Sequence, residues 1–295
     1  GSGRLELAAD IADANNPLTS RVMVNRIWHH LFGRGIVAST NNFGVLGQRP
    51  THPKLLDYLA RRFSDEHQWS VKGMIKEIML SSTYQLSSTP NPEYLNSDPN
   101  NFLLYRQNIR RLQGEAIRDN IIAVSGRLDK KMFGPSLPVY LTPFMSGRGR
   151  PQTGPIDGAG RRSIYISVRR NFIAPMMLAF DTPVPFNSIG RRNVSNVPSQ
   201  ALILMNDPFV IEQSQVWAKR LMANDQQTPT DRIDQMIREA FGRPATKIEL
   251  ADAGDFLEIQ REQYGIVKEN LMTDIRLWAD LGHVLMNSKP FIYID

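Results

Sequence analysis

Three charged side chains on one short stretch offer the clearest opening for chemistry. In NIRRLQGEAIRDNIIAVSGRL, Glu115, Arg118 and Asp119 stand at i, i+3 and i+4, so a helix there carries them on one face. Two carboxylates on one face can divide general acid and base work when their surroundings push their proton affinities apart. The arginine between them acts the other way, because it holds both carboxylates ionised, as in a structural ion-pair network. The structural network is the expected reading, and Glu115 with Asp119 as an acid/base pair is the alternative.

The histidines are scattered. His29 and His30 are adjacent, so on a helix they point about 100° apart and cannot easily chelate one ion together. The HExxH spacing is absent. His52, at a loop–helix junction, is a further acid/base candidate; His67 and His283 lie in a polar loop and on a late helix. No metal site is expected. The stripe Arg21, Asn25 and His29 at i, i+4 and i+8, with Arg26 beside it, is expected to be a polar seam joining its helix to the one that carries Glu115 and Arg118. The chain has no cysteine, which excludes disulfides, thiolate zinc and covalently attached c-type haem, and no cofactor is expected.

Four arginine pairs, Arg148/Arg150, Arg161/Arg162, Arg169/Arg170 and Arg191/Arg192, flank or follow a glycine- and proline-rich stretch. The planar guanidinium fork suits sulfate, carboxylate and phosphate. Arg148, Arg162, Arg169 and Arg192 are therefore candidate anion clamps, with Tyr165, Tyr140 and Phe144 as surfaces for sugar rings. Alternatively, the pairs bind loop carbonyls and carboxylates such as Asp157 and Asp181. A net charge of +6 spread over 295 residues, with no run of five basic residues, does not point to nucleic acid. Walker, dinucleotide and GxSxG motifs are absent. The 12 methionines include Met74 and Met79 at helical core positions, where they read as packing.

The elements that would position these residues read as mainly α: a multi-helix domain with a small β-hairpin and a long Gly/Pro-rich loop. Asn16 and Pro17 open a helix that Gly33 stops, with Val24, Ile27, Trp28 and Leu31 facing inward. Thr51 is expected to cap a helix over 53–63, and Ser70 the next one. The Glu115 helix stops near Gly126. From Gly134 to Gly160 glycines and prolines forbid a lasting helix or central strand, after which RRSIYISV is expected to pair with PVYL as a hairpin. Helices follow near 174–179, 198–205 and 208–223. Thr228 with Pro229 starts another that Gly242 ends, Thr246 with Glu249 forms a capping box, and a last helix covers about 269–287.

The domain plan is a lead-in over 1–15 that opens with a Gly-Ser-Gly cloning scar, then one helical domain over 16–295. That domain divides into N-terminal helices (16–128), the Gly/Pro-rich excursion (129–170) and C-terminal helices (171–295). No apolar run approaches the roughly 18 residues that a bilayer span needs.

Taken in order, NRIWHHLFGRGIV, FGVLGQRPTHPKLLDYLARRF, WSVKGMIKEIMLSSTYQLSS, RRLQGEAIRDNIIAVSGRLD, RRSIYISVRR, SQALILMNDPFV and WADLGHVLMNSKPFIYID resemble one family from about Asn16 to Asp295. It is the carboxy-terminal domain of unknown function of planctomycete-type, cytochrome-c-containing surface proteins. The resemblance implies upstream partner domains, one of them cytochrome-c-like, and an extracytoplasmic location at the periplasm or cell surface. It implies no particular reaction. Joined to the arginine clamps, it leads to the expectation of a non-catalytic recognition or assembly module that docks those domains or binds an anionic glycan. The alternative is a polysaccharide-acting enzyme with carboxylate or histidine acid/base residues. Two departures stand out: Lys54 occupies a position where the family commonly has Glu, and FNSIGRRNVSNVPSQ lacks a cysteine often found there.

Overall fold

The structure, a computed structural model, describes residues 1–13, 15–185, 188–223 and 226–294. Phe186 and Asn187, the first two residues of the cysteine-lacking segment, and the terminal Asp295 lie outside the described residues. The fold is mainly α, and the chain groups into two compact units: Gly1–Arg110 with Ile189–Arg191, and Arg111–Ser188 with Arg192–Ile294.

The first unit holds α1 (Arg4–Ala12), α2 (Thr19–Phe32), α3 (Pro53–Arg61), α4 (Val71–Met79) and α5 (Pro92–Leu95). Asn16 Oδ1 accepts from the amides of Leu18 and Thr19 at 2.9 and 3.4 Å just ahead of α2, but the N-cap position falls on Leu18, two residues later than the expected start at Asn16 and Pro17. Gly33 ends α2 in the left-handed region at φ 80°, returning its N–H to the His29 carbonyl. Val24, Ile27, Trp28 and Phe32 from α2 meet Leu56, Leu59, Phe63, Met74 and Ile78 to form the core, with the Trp28 and Phe32 rings stacked at 4.2 Å. Within the stretch read as lead-in, residues 4–12 form a helix. Two expectations need correction. Thr51 does not cap α3, because its hydroxyl and amide both go to the Ile36 carbonyl. His52 is the residue at the N-cap position instead, and α3 gives way after Arg61 to a π-helical turn over Arg62–Glu66.

The second unit holds α6 (Gly114–Ser125), α7 (Pro175–Ala179), α8 (Pro198–Asn206), α9 (Pro208–Leu221), α10 (Pro229–Phe241), α11 (Lys247–Gln263), α12 (Ile275–Met286) and α13 (Lys289–Ile292). Ile117 and Ile121 on α6, Val210 and Trp217 on α9, Met236 on α10 and Leu277 and Trp278 on α12 are wholly buried in one core. The capping boxes at Thr228–Asp231 and Thr246–Glu249 form reciprocally. The last long helix starts at Ile275 rather than near 269, since Asp274 accepts from the Arg276 amide and fixes the start there.

The hairpin between PVYL and RRSIYISV does not form. The backbone of PVYL is already committed: Gly154 donates to the Val139 carbonyl, the Leu141 amide donates to Thr153, and Pro138 has no N–H to give. Ser163–Tyr165 makes a 3-10 turn, and the region keeps only isolated parallel bridges, Asp129 with Arg161 and Leu137 with Ile166. The one sheet among the described residues is two-stranded and lies elsewhere, β1 (Arg110–Arg111) with β2 (Tyr293–Ile294).

Candidate functional site

Helix α6 presents Glu115, Arg118 and Asp119 to the Gly/Pro-rich segment of its own unit. Arg118 is the anchor. Its guanidinium donates to the carbonyls of Asp157 (2.7 Å) and Arg161 (3.1 Å), to the Ser163 hydroxyl (3.1 Å) and to Asp119 Oδ1 (3.3 Å). Gly158, at φ 59°, makes this closure possible, because a Cβ there would stand 2.5 Å from Arg118 Nη2 and 2.6 Å from Ile166 Cδ1. Burial pulls the Arg118 guanidinium below its ordinary value, while the charges of Asp119 and Asp157 push back. Asp119 also accepts from the Ser163 amide and hydroxyl, both at 2.7 Å.

Glu115 is held bidentately by Arg192, with Nη1 at 2.6 Å from Oε2 and Nη2 at 3.0 Å from Oε1. Both carboxylates of α6 therefore accept from arginine.

Glu115 and Arg118 line a cavity of about 140 Å³. Its walls are largely apolar, with Val139, Ile166, Phe172, Met176 and Phe209 among them, and Tyr140, Ser167, Arg169, Thr182 and Asp207 add polar groups. A neighbouring cavity of about 280 Å³ shares Pro138, Val139, Ser167 and Arg169 with it and adds Ser136, Pro151 and Gln152. Arg169 thus stands on the wall common to both. It is exposed, and among the described residues its guanidinium makes no hydrogen bond or ion pair.

Asp207 is the group in the first cavity that reading the sequence for chemistry missed. It is the N-cap of α9, where Oδ1 accepts from the Phe209 amide at 2.9 Å. Burial pushes its carboxyl above the usual value and outweighs that hydrogen bond, which pulls it down. The local signal was the cap sequence NDPF, but burial is a tertiary property that local pattern does not carry.

The other candidates disperse. Tyr165 accepts from the Phe133 amide and lies under Arg161 at 4.2 Å, and Arg162 donates to Met132 Sδ and Tyr165 Oη. The second pair is thus turned onto its own loop. Arg148 and Phe144 are exposed and do not line either cavity. In the first unit, Arg21 pairs with Asp57 and the Pro17 carbonyl. Asn25, fully buried, exchanges hydrogen bonds with both backbone groups of Val37. The described partners of Arg21 and Asn25 therefore belong to their own unit, and those of Glu115 and Arg118 belong to the second. Arg26 is exposed. The His29 imidazole is pulled below its ordinary value by burial first, then by the charges of His30, Arg191 and Arg26. His52 sits 3.0 Å from the Thr51 hydroxyl. Among the described residues no three His, Asp or Glu side chains gather where they could hold a metal ion, and no helix is long and apolar enough to cross a membrane.

In comparison with known proteins, a family model described as PSD1, protein of unknown function (DUF1553), matches residues 3–257. No curated protein and no solved structure matches the chain.

Proposed function

The chain belongs to the PSD1 family of proteins of unknown function (DUF1553), and we propose that within it this domain is a non-catalytic recognition module for an anionic saccharide. One observation carries the reading: Arg169 offers an uncommitted guanidinium on the wall shared by two cavities, while the nearby carboxylate of Glu115 is already neutralised by Arg192. A sulfate or carboxylate on a ring would meet Arg169 with charge-assisted hydrogen bonds. The ring itself would lie against Tyr140, Phe172 and the apolar wall. Arg148, Arg162 and Tyr165 play no part in the ligand contact on this reading.

The setting proposed with it is a multidomain, extracytoplasmic protein whose upstream domains include a cytochrome-c-like one. The family resemblance in the sequence motivates that setting, and expression of the whole protein with fractionation and haem staining tests it.

Thermal-shift measurements with sulfated, carboxylated and neutral oligosaccharides test the binding. A ligand at about 100 times its Kd adds roughly 2.7 kcal/mol, a shift of a few degrees. An anionic saccharide is expected to give that shift and its neutral counterpart to give none. Equal shifts from both, or none from either, would remove the proposal.

A second reading rests on Asp207. A carboxyl that burial pushes up, lining the same cavity as Glu115, has the character of a general acid. Release of reducing ends from an anionic polysaccharide, lost in Asp207→Asn, would favour this enzymatic reading over recognition alone.

A further inference from the structure

The first unit carries a feature that nothing in the second explains. In the segment NNFGVLGQRP, the Gly47 amide closes on the Gly44 carbonyl at 2.8 Å, so Val45 and Leu46 form the tip of a tight turn. The turn is braced from below. Asn42 Oδ1 accepts from the Gly44 amide, and the Ser39 hydroxyl donates to the Asn42 carbonyl while accepting from the Gln48 amide. Phe43 roots the loop in the core of the first unit. Yet Val45 and Leu46 are 102% and 93% exposed, so a well-ordered turn holds two aliphatic side chains fully in solvent.

The surroundings are basic. From residue 14 to residue 56 the chain has five cations, Arg21, Arg26, Arg34, Arg49 and Lys54, and no carboxylate, although Arg21 is paired with Asp57 just beyond that stretch. Arg49 follows the turn directly and is exposed. Gly190 abuts Asn41, since a Cβ on it would stand 2.4 Å from the Asn41 Cβ. That contact brings the exposed Ile189 and Arg191 beside the base of the turn. Arg191 and Arg26 both impose positive charge on His29, and among the described residues neither has an ion-pair partner.

We propose that this face of the first unit binds an anionic lipid surface, with Val45 and Leu46 entering the interface and Arg49, Arg191 and Arg26 meeting the headgroups. Aliphatic groups that enter the acyl boundary and cations that meet anionic headgroups are the two components of peripheral membrane binding. An acidic protein segment is the competing occupant. The composition of the tip favours lipid, because residues that dominate protein interfaces are Trp, Tyr and Arg, with Leu and Val under-represented, and this tip is Val-Leu without an aromatic. Rigid bracing adds to the case, since the tip loses little conformational freedom on insertion.

Vesicle co-sedimentation of the whole chain tests the proposal, using phosphatidylcholine vesicles with and without phosphatidylglycerol, at low and physiological salt. Wild type is expected to bind the phosphatidylglycerol vesicles and to weaken with salt. The double variant Val45→Asp/Leu46→Asp is expected to lose binding by about tenfold or more, and Arg191→Glu by a few-fold. The thermal midpoint of the double variant is expected to match wild type, because both side chains lie outside every packed cluster. Failure of wild type to bind at low salt would overturn the proposal. So would vesicle binding that the double variant retains, or capture on immobilised poly-glutamate, with no vesicle binding, that the double variant retains.

Discussion

Asp207 has two effects that oppose each other. Its side chain caps α9, which favours the ionised form, while burial on the cavity wall disfavours it more strongly. The carboxyl in the folded chain thus stands above its unfolded value, and the native state holds the proton more tightly. Its contribution to stability is full below the unfolded value and is lost as pH rises through the folded one. Asp207→Asn keeps the capping oxygen and removes the buried charge. The variant is expected to melt above wild type at neutral pH, with the gain disappearing on acidification; scanning calorimetry across pH reads it, and a pH-independent difference would contradict the account. At this scale the sequence was legible only in part. The charge types of the arginine pairs could be read, but their commitments could not. Arg161 and Arg162 fold back onto Phe133 and Tyr165, whereas Arg169 stays uncommitted on the cavity wall. The difference depends on where a loop without periodic structure runs.

Among the elements, what could be read was what closes within a few residues. Gly33 ends α2, Ser70 caps α4, and the boxes at Thr228 and Thr246 start α10 and α11 as expected. What failed depended on remote partners: Thr51 turned to Ile36, and PVYL paired with Thr153 and Gly154 instead of with SIYI. The α11 box permits a direct test. The Arg243 hydrogen bond, joined by the Thr246 amide and hydroxyl and by the Arg243 charge, holds the Glu249 carboxyl down to about 2 against the cost of burial. A depressed folded value stabilises above the unfolded one and is lost as pH falls through about 2. Glu249→Gln is therefore expected to cost about 1 kcal/mol near neutrality, kept small by solvent screening of an exposed pair, and nothing in strong acid. Urea denaturation at several pH values would show this.

On the scale of the whole molecule, the main core of the first unit and that of the second share no residue. Trp28 and Trp69 report on the first and Trp217 and Trp278 on the second. Met74 is wholly buried in the first core, so Met74→Ala is expected to cost about 2 to 5 kcal/mol there. Fluorescence of a variant keeping Trp28 and Trp69 should register the loss more strongly than one keeping Trp217 and Trp278; equal loss in both would mean that the two cores unfold as one. The recognition reading belongs to the second unit. Its central claim is that Arg169 draws an anionic saccharide to the paired cavities, and titration calorimetry of a sulfated oligosaccharide into wild type and Arg169→Gln tests this most directly. The account predicts about a tenfold or greater loss of affinity with an unchanged thermal midpoint, since Arg169 is exposed. Equal affinity in the two proteins would contradict it.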